Sequence, residues 1–218
     1  MLPPCLFTIC CYVWLLPMQV EQKTLRRKVK RQKAQQQQQQ PGTGQKSMMD
    51  LLLQQARPLL EMPCLADPTC ILVDSTRLSN STTMQPQQRN MSNRIFGGFL
   101  ARRAYEIAFS TCYLFAGSRP EFSEMLHVDF LTPVDVADLM RFDSCVLYTK
   151  VDAGHPEVHV QVIAMICKPE EVTSRVSNTF NFIFKVPLKA TLKKVLPSNL
   201  DQAKKIIERL EAGREEDD

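Results

Sequence analysis

The sequence lacks the cysteine spacing that a structural metal site needs. It contains no Cys-x-x-Cys pair, and its closest spacings are Cys10 beside Cys11 and Cys64 with Cys70. A structural zinc ion takes four thiolate or imidazole ligands at short spacing, so we expect no metal. Three further cysteines lie in apolar stretches: Cys112, Cys145 and Cys167. Free cysteine in such a stretch behaves as a small hydrophobe, which favours reduced, buried thiols in an intracellular protein.

Histidine is also scarce. The chain has only His127, His155 and His159, and none stands near a Gly-x-Ser-x-Gly motif. A serine or cysteine nucleophile activated by histidine is therefore not expected. The glycine-rich phosphate-binding motifs are absent as well, both GxGxxG and the Walker type, so we expect no nucleotide fold of those kinds and no cofactor.

Positive charge is confined to one stretch of the chain. The net charge is +4, and eight of the Lys and Arg residues lie between Glu21 and Asp50. The remainder of the sequence is nearly neutral or slightly acidic. A folded nucleic-acid-binding surface needs its basic residues on ordered structure, so a nucleic-acid partner is not expected.

The first 64 of the 218 residues differ in composition from the rest. Residues 2–20 carry no charge, a basic stretch follows, and residues 35–40 are six consecutive glutamines. We predict that residues 1–64 lie outside the fold and are disordered at the glutamines. The predicted domain spans residues 65–190, and residues 191–218 are predicted to form an amphipathic helix with an acidic tail.

Four explanations of the N-terminal stretch remain open. A secretory signal would need basic residues before the apolar run and a small-residue cleavage site after it, and both are missing. A membrane anchor fits the length of the run, although Pro3, Pro4 and Pro17 weaken it. A mitochondrial transit segment fits the absence of Asp and Glu from residues 23–49. The fourth explanation is an atypical start joined to an ordinary domain.

The most informative stretch is the sequence NMSNRIFGG at residues 90–98, which runs directly into FLARRAYEIAFSTCYLFAG. No Pro or Gly occurs between Phe99 and Ala116, which predicts a helix of about five turns. Asn93 or Ser92 is the expected N-terminal cap, and Gly117 is the expected stop.

The two sides of this helix carry different residues. One side is apolar at helical spacing: Leu100, Ala104, Ile107, Ala108 and Thr111. The other side mixes charge with aromatic rings: Phe99, Arg102, Glu106, Phe109 and Tyr113. This mixture suggests that the helix is wrapped on most sides, in which case desolvation would raise the pKa of Glu106. The alternative is a solvated Glu106 that pairs with Arg102 or Arg103 on the same helix.

After Gly117 the hydrophobic period changes from helical to two. Alternation predicts four strands, at residues 128–130, 140–148, 158–166 and 176–186, with a tentative earlier strand at 81–84. Short connections between the four predict an antiparallel sheet with one face covered, and the preceding helix is the expected cover. The predicted fold class is therefore α+β.

The pair Gly97 and Gly98 at the start of the helix indicates a site. Two glycines let a ligand approach the backbone, and the N–H groups of a first helical turn, with the helix dipole, favour a developing negative charge. An oxyanion hole for acyl transfer has these properties. Glu106, about two turns further on, is the candidate general base.

These residues resemble a known family. The segment NMSNRIFGGFLARRAYEIA is similar to the second repeat of the two-repeat hotdog acyl-CoA thioesterases. Four later segments are similar to the same repeat: GSRPEF, DFLTPVDVADLMRFDSCVLYT, VHVQV and NTFNFIF. The resemblance covers about residues 70–187. It implies a hotdog fold, an antiparallel sheet wrapped around one long helix. It also implies hydrolysis of fatty acyl-CoA to free acid and CoA in mitochondria, without a metal.

The resemblance also implies roles for particular residues. In related enzymes an Asn before the Gly-Gly pair acts with an acid on the central helix of a different repeat. Asn90 matches that Asn, with Asn93 as the second choice, whereas the acid position aligns with Tyr105, one residue before Glu106. We expect Phe96, Gly97 and Gly98 to contact the substrate.

This chain has room for a single repeat. We therefore expect a homo-oligomer, with a dimer as the first choice, or a pairing with another hotdog repeat. We predict that Arg119 binds substrate by contacting a CoA phosphate. The alternative is that Arg119 is an ordinary surface residue. The rival function is a catalytically degenerate repeat that binds acyl-CoA or pairs with a full-length relative. A hotdog hydratase would need a histidine near the helix, where the sequence has none.

Overall fold

The computed structural model describes residues 43–126, 128–151, 156–187 and 192–217. Contacts between Cα atoms divide the chain into residues 1–44 and a compact unit that runs from Gln45 to Asp218. The apolar run at 2–20, the glutamine tract, His127 and His155 lie outside the described residues. The domain described below is therefore the unit from residue 45 onward.

The described part of the chain contains three α-helices, eight strands and four short 3₁₀ helices. The α-helices are a leading helix (Thr43–Glu61), a central helix (Gly97–Ala116) and a C-terminal helix (Leu200–Asp217). The strands are β1 (Cys70–Leu72), β2 (Leu78–Thr83), β3 (Glu121–Met125), β4 (Asp129–Phe130), β5 (Leu139–Val151), β6 (Pro156–Lys168), β7 (Thr173–Lys185) and β8 (Lys194–Leu196).

Six of the strands form one antiparallel sheet. Its order is β2-β5-β6-β7-β3, with the short strand β4 also paired to β7. Strands β1 and β8 pair separately and in parallel. The central helix packs against β2, β5, β6 and β7. This confirms the predicted α+β hotdog fold, in which an antiparallel sheet wraps one long helix.

The core lies between the central helix and the sheet. The predicted apolar side of the helix is buried, as are the alternating residues of β6 from Val158 to Ile166. The largest side chains that are almost fully buried include four phenylalanines: Phe142, Phe180, Phe182 and Phe184. Burying one such side chain stabilises the fold by about 1.5–3 kcal/mol relative to leaving it in water, so this layer provides most of the hydrophobic stabilisation.

The central helix ends as predicted but begins differently. Gly117 closes it in the left-handed conformation, with φ 63°, and its N–H bonds to the carbonyl of Tyr113. At the start, Phe96 is the cap residue and no side chain caps the helix. The prediction of Asn93 or Ser92 as cap was wrong because both lie in the preceding turn, where Asn93 has φ 59°.

Strand β7 departs from its predicted pattern at one end. Alternation with Phe180, Phe182 and Phe184 would place Val176 on the buried side, but Val176 is 40% exposed, and Ser177 and Asn178 are fully buried instead. The register of β6 with β7 shifts between Ala164 and Met165. Such an irregularity moves the following side chains to the other face, which alternation along one strand cannot reveal.

The first strands also differ from the sequence expectation. The tentative strand at 81–84 overlaps β2, which begins three residues earlier, at Leu78, and ends at Thr83. Strand β3 was not predicted. Residues Glu121 to Glu124 are all exposed, so this edge strand has no alternation of burial to detect.

The leading helix corrects the predicted boundary of the domain. Residues up to 64 were expected to lie outside the fold, yet Ala56 is fully buried and Met49 is 6% exposed. Met49 packs with Ala203 and Ile207 of the C-terminal helix. The signal is present in the sequence, because Met49, Leu52, Leu53 and Ala56 follow helical spacing, but it stands next to the low-complexity stretch.

Candidate functional site

The loop before the central helix is a tight turn built on Asn90. The backbone of Asn90 bonds to Arg94 (N to O, 2.6 Å), and the N–H of Asn93 donates to the carbonyl of Asn90 at 3.0 Å. The side-chain Oδ1 of Asn90 accepts bonds from the N–H groups of Ser92 (2.9 Å) and Arg94 (3.1 Å). Its amide oxygen therefore holds the shape of the loop, and the residue is exposed.

Asn93, the second candidate, lies at the tip of the same turn. It adopts the left-handed conformation that Asn tolerates better than most residues. Its Oδ1 accepts a bond from the guanidinium of Arg89 at 3.3 Å. Both candidate asparagines are thus brought to one loop, and both amide oxygens bond within it.

The glycine pair forms the first turn of the central helix. The carbonyl of Phe96 accepts bonds from the N–H groups of Phe99 (2.9 Å) and Leu100 (3.4 Å). Within the described residues, no acceptor bonds the N–H of Gly97 or of Gly98. These are the unpaired donors of a helix start, where the dipole adds partial positive charge. Both glycine N–H groups are therefore unbonded, and their role in binding a substrate stays a prediction.

The ring of Phe96 lies over the second glycine. A Cβ atom built on Gly98 would overlap the Phe96 ring, and the Phe96 side chain is 46% exposed. The N–H of Phe96 is fixed by a 2.9 Å bond to the carbonyl of Gln88. Glycine at position 98 is therefore what allows this ring to fold back against the helix.

Glu106 is not enclosed by aromatic rings. Its carboxylate pairs with Arg102 Nε at 3.1 Å and with Arg103 at 2.9 Å, and its side chain is 42% exposed. The prediction of a desolvated acid was wrong, because the flank of the helix that carries Glu106 is open rather than wrapped. The alternative of a solvated acid paired on its own helix is confirmed.

Tyr105, which the resemblance aligns with the acid of related enzymes, packs into an aromatic cluster. Its ring centroid lies 5.5 Å from that of Phe122, 6.0 Å from Phe182 and 6.1 Å from both Phe109 and Phe184. We did not predict this cluster, since Phe122 belongs to the undetected strand β3. No carboxylate occupies position 105 in this chain.

Distance along the helix separates the remaining candidates from the glycines. At a rise of 1.5 Å per residue, Glu106 lies about 13 Å from Gly97 along the helix axis. Arg119 follows the end of the helix, which is about 30 Å long, and it is exposed. One chain therefore brings Asn90, Asn93 and the glycines together, but not Glu106 or Arg119.

The cysteines of the described residues differ in how far burial shields their thiols. Burial raises the pKa of the Cys112 thiol to about 12 and also raises the pKa of Cys145. Cys167 is half-buried, Cys70 likewise, and Cys64 is exposed, all as free thiols. Within the described ranges no three His, Cys, Asp or Glu side chains gather as a metal site would require. No described helix is long and apolar enough to span a membrane.

Comparison with known proteins finds sequence similarity between the chain and one group of enzymes. No protein-family model matches the chain. Over 177 residues it is 46% identical to acyl-coenzyme A thioesterase 2, chloroplastic, from Humulus lupulus. The chain is thus similar in sequence to part of an acyl-coenzyme A thioesterase. It is also 46% identical over 170 residues to acyl-coenzyme A thioesterase 4, mitochondrial, of the same plant, and 36% identical over 117 residues to acyl-coenzyme A thioesterase 9, mitochondrial, from Mus musculus.

These relatives are longer than the chain. The alignments cover 78%, 75% and 54% of this chain but only 40%, 32% and 26% of the respective thioesterases. The chain therefore spans at most about two-fifths of the length of the curated relatives it matches. The plant enzymes match more of it, and at higher identity, than thioesterase 9 does.

Solved structures support the fold. An acyl-CoA hydrolase from Staphylococcus aureus, solved with butyryl coenzyme A, coenzyme A and coenzyme A disulfide, superposes with a TM-score of 0.57 at 22% identity, over 68% of this chain and 94% of that one. An acyl-CoA hydrolase from Bacillus cereus gives a TM-score of 0.58 at 21% identity, over 66% and 88%. A hexameric acyl-CoA thioesterase gives 0.58 at 20% identity, over 67% and 94%. The shared architecture is the hotdog fold.

Proposed function

We propose that this chain hydrolyses fatty acyl-CoA to a free fatty acid and CoA. The observation that carries the proposal is the pair of unbonded N–H groups on Gly97 and Gly98, in a chain whose sequence is 46% identical to part of a thioesterase. In the reaction, water attacks the thioester carbonyl and the carbonyl oxygen becomes an oxyanion. The tetrahedral intermediate then expels the CoA thiolate, which takes up a proton.

The two glycine N–H groups would bind that oxyanion. Backbone donors aimed at a developing charge typically contribute about 10²–10³ in kcat per donor. Asn90, or Asn93 in its place, would orient the attacking water beside the same turn. The half-exposed Phe96 ring would contact the thioester or the first carbons of the acyl chain.

Activation of the water requires a base from elsewhere. Glu106 is our candidate, and it would act in the site of a second copy, since it is about 13 Å from Gly97 within its own chain. Its bonds to Arg102 and Arg103 would have to open for this role. Arg119 would contact a CoA phosphate in the assembly. We accordingly propose a homo-oligomer, or pairing with another hotdog repeat.

The proposal also states which repeat of the family the chain corresponds to and where in the cell it acts. Within the family we assign the chain to the second repeat of an enzyme similar to acyl-coenzyme A thioesterase 9, and we propose a mitochondrial location and a role in fatty acid metabolism. Several matched relatives are named mitochondrial, and one is named chloroplastic. No cofactor takes part in the proposed reaction.

A second function is favoured by the surroundings of Tyr105. The resemblance aligns Tyr105 with the acid of related enzymes, and its ring is packed among four other aromatic rings. A repeat without that acid can bind acyl-CoA, or supply the asparagine half of a site to a full-length relative, without turnover of its own. The two functions differ in whether the isolated chain releases thiol.

The experiment measures thiol release from acyl-CoA substrates of increasing chain length. The key variant is Gly97→Pro, because proline at the first helical position removes one N–H that no helical bond uses. The backbone of Phe96, at φ −69° and ψ 126°, already suits a residue before proline. The matched control Gly97→Ala keeps the N–H. We expect Gly97→Pro to lose about 10²–10³ in kcat and Gly97→Ala to retain far more.

Two further variants test the side chains. Glu106→Gln keeps the shape of the side chain and removes its charge, and Asn90→Ala removes the amide. Loss of turnover in Glu106→Gln with the fold intact supports the base. Full turnover in Glu106→Gln overturns that role and leaves the glycine site standing. A folded wild-type chain that binds acyl-CoA but releases no thiol supports the second function instead.

A further inference from the structure

A small cavity lies beneath the C-terminal helix, separate from the candidate site. Its volume is about 10 Å³, and its lining includes Tyr148, His159, Asn181 and Arg209. His159 and Asn181 alternate along their strands with Val158, Val160, Phe180 and Phe182, which belong to the core under the central helix. Successive residues of a strand point to opposite faces. The two polar side chains therefore lie on the back of the sheet.

Two buried polar atoms in this lining have no protein partner. His159 is 9% exposed and Asn181 is 4% exposed. Among the residues that the structure describes, His159 Nε2 and Asn181 Nδ2 make no hydrogen bond. Buried polar atoms in native proteins are nearly always bonded, either to protein or to an ordered water. Two unpaired atoms on one small cavity point to a shared ligand.

Neighbouring contacts orient the Asn181 amide and the plane of the His159 ring. Gln161 Nε2 donates to Asn181 Oδ1 at 3.1 Å, which leaves the Nδ2 of the same amide for the cavity. The His159 ring stacks on Tyr148, with the ring centroids 4.1 Å apart and the planes 17° apart. The carboxylate of Glu157 lies 3.9 Å from His159 Nε2, which is too long for a hydrogen bond.

We propose that the cavity is a binding site for one water molecule, which accepts a hydrogen bond from Asn181 Nδ2 and donates one to His159 Nε2. A volume of this size suffices for a single water that has two polar partners. The water ties β6 to β7 under the C-terminal helix. This role is independent of the proposed hydrolysis.

The site requires a neutral His159 with its proton on Nδ1. Charged groups reach it from three elements: Glu157 on its own strand, Lys150 on β5 and Arg209 on the C-terminal helix. Burial, together with Lys150 and Arg209, lowers the pKa of His159 to about 4. The imidazole is therefore neutral at pH 7, and its Nε2 lone pair can accept the bond from water.

Nitrogen-15 NMR of the full chain tests the proposal. A long-range proton–nitrogen spectrum at pH 7 reports which ring nitrogen carries the proton, and His159→Gln assigns the signals among the three histidines. We expect an unprotonated Nε2 for His159 and water cross-relaxation to the side-chain NH₂ of Asn181. A proton on Nε2 at pH 7, or an Asn181 amide without any water contact, overturns the proposal.

A comparison of two variants provides an independent test of the shared water. Asn181→Leu removes the donor to the water but retains the strand, and Gln161→Leu is the control that removes only the neighbouring amide. We expect Asn181→Leu to change the His159 ring-nitrogen shifts more than Gln161→Leu does. The reverse order contradicts the shared water. If Asn181→Leu does not fold, the wild-type spectra alone decide.

Discussion

Glu106 shows how a single charge is accommodated on the central helix. Its carboxylate bonds to Arg102 and Arg103, one turn away on the same helix, and Arg103 also lies 5.3 Å over the ring of Phe99. Exposed pairs of this kind contribute only about 0.2–1 kcal/mol each. These pairs therefore contribute little to stability, and the charge of Glu106 remains accessible from outside the helix.

The free energy of unfolding should decrease as the pH is lowered through a window set by the pKa of His159. Its pKa is lowered from 6.5 to about 4 by burial and by two nearby cations, so the neutral ring stabilises the fold fully above pH 6.5. That contribution is lost as the pH falls toward 4, and it amounts to about 3 kcal/mol at 1.36 kcal/mol per pKa unit. Urea unfolding at pH 7, 5 and 4 measures it.

The variant His159→Gln is the control for this titration. Because glutamine does not ionise, we expect the variant to lose less stability between pH 7 and pH 4 than the wild type does. Equal slopes for the two proteins in that window would contradict the assigned role of His159.

Gly98 and Phe96 should be energetically coupled. Alanine at 98 would displace the half-exposed Phe96 ring from the helix, so Gly98→Ala should lose part of the gain in helix propensity in the wild type. In the background Phe96→Ala no ring has to move, and the same change should stabilise by up to about 1 kcal/mol, since alanine is the better helix former. A double-mutant cycle of unfolding free energies checks this coupling, and additive effects would count against it.

At the level of elements, a buried hydroxyl pair joins the central helix to strand β5. Thr111 Oγ1 lies 2.6 Å from Ser144 Oγ and also donates to the carbonyl of Ile107 at 2.9 Å. Ser144 is therefore the donor to Thr111. We expect Thr111→Val to cost about 1–3 kcal/mol, because it leaves the Ser144 hydroxyl buried without a partner.

Ser144→Ala should cost less than Thr111→Val, because Thr111 keeps its bond to Ile107. The double variant should recover part of the loss, since no hydroxyl is then left unpaired. Denaturant unfolding of the three variants measures the order. A larger loss for Ser144→Ala would show that the donor assignment is wrong.

The leading helix should be part of the stable domain. Ala56 and Met49 are buried, and Lys194 donates to Gln55 at 2.8 Å. A chain that begins at residue 63 should therefore be less stable than one that begins at residue 43, by about 3 kcal/mol if Met49 and one leucine lose their burial. Thermal and urea unfolding of the two chains test this prediction. Identical unfolding midpoints would show that the N-terminal boundary of the domain lies near residue 64 after all.

The elements differ in how far the sequence determines them. The central helix and strand β6 were predictable because each buries one continuous face at a regular spacing. Strand β3 and the burial of Ser177 were not, since an exposed edge and a register shift depend on partners distant in sequence. At the site, the motif located the loop and the two glycines. The surroundings of Glu106 could not be predicted, because they depend on which flank of the helix stays uncovered.

At the scale of the whole molecule, one chain brings together only some of the groups that the proposed reaction needs. The loop brings Asn90 and the two glycine N–H groups together, whereas Glu106 is about 13 Å further along the helix axis. The candidate acid position is filled by Tyr105 within an aromatic cluster. We therefore place the proposed reaction between two hotdog domains, with the oxyanion donors from one copy and the base from another.

The most direct test of this account is the dependence of specific activity on protein concentration. Thiol release per chain should be measured from the nanomolar to the micromolar range, alongside the molecular mass in solution by sedimentation. If two copies build the site, turnover per chain rises as the mass changes from monomer to dimer and then levels off. Constant turnover per chain from a monomer would contradict the account, and so would an assembled dimer that releases no thiol.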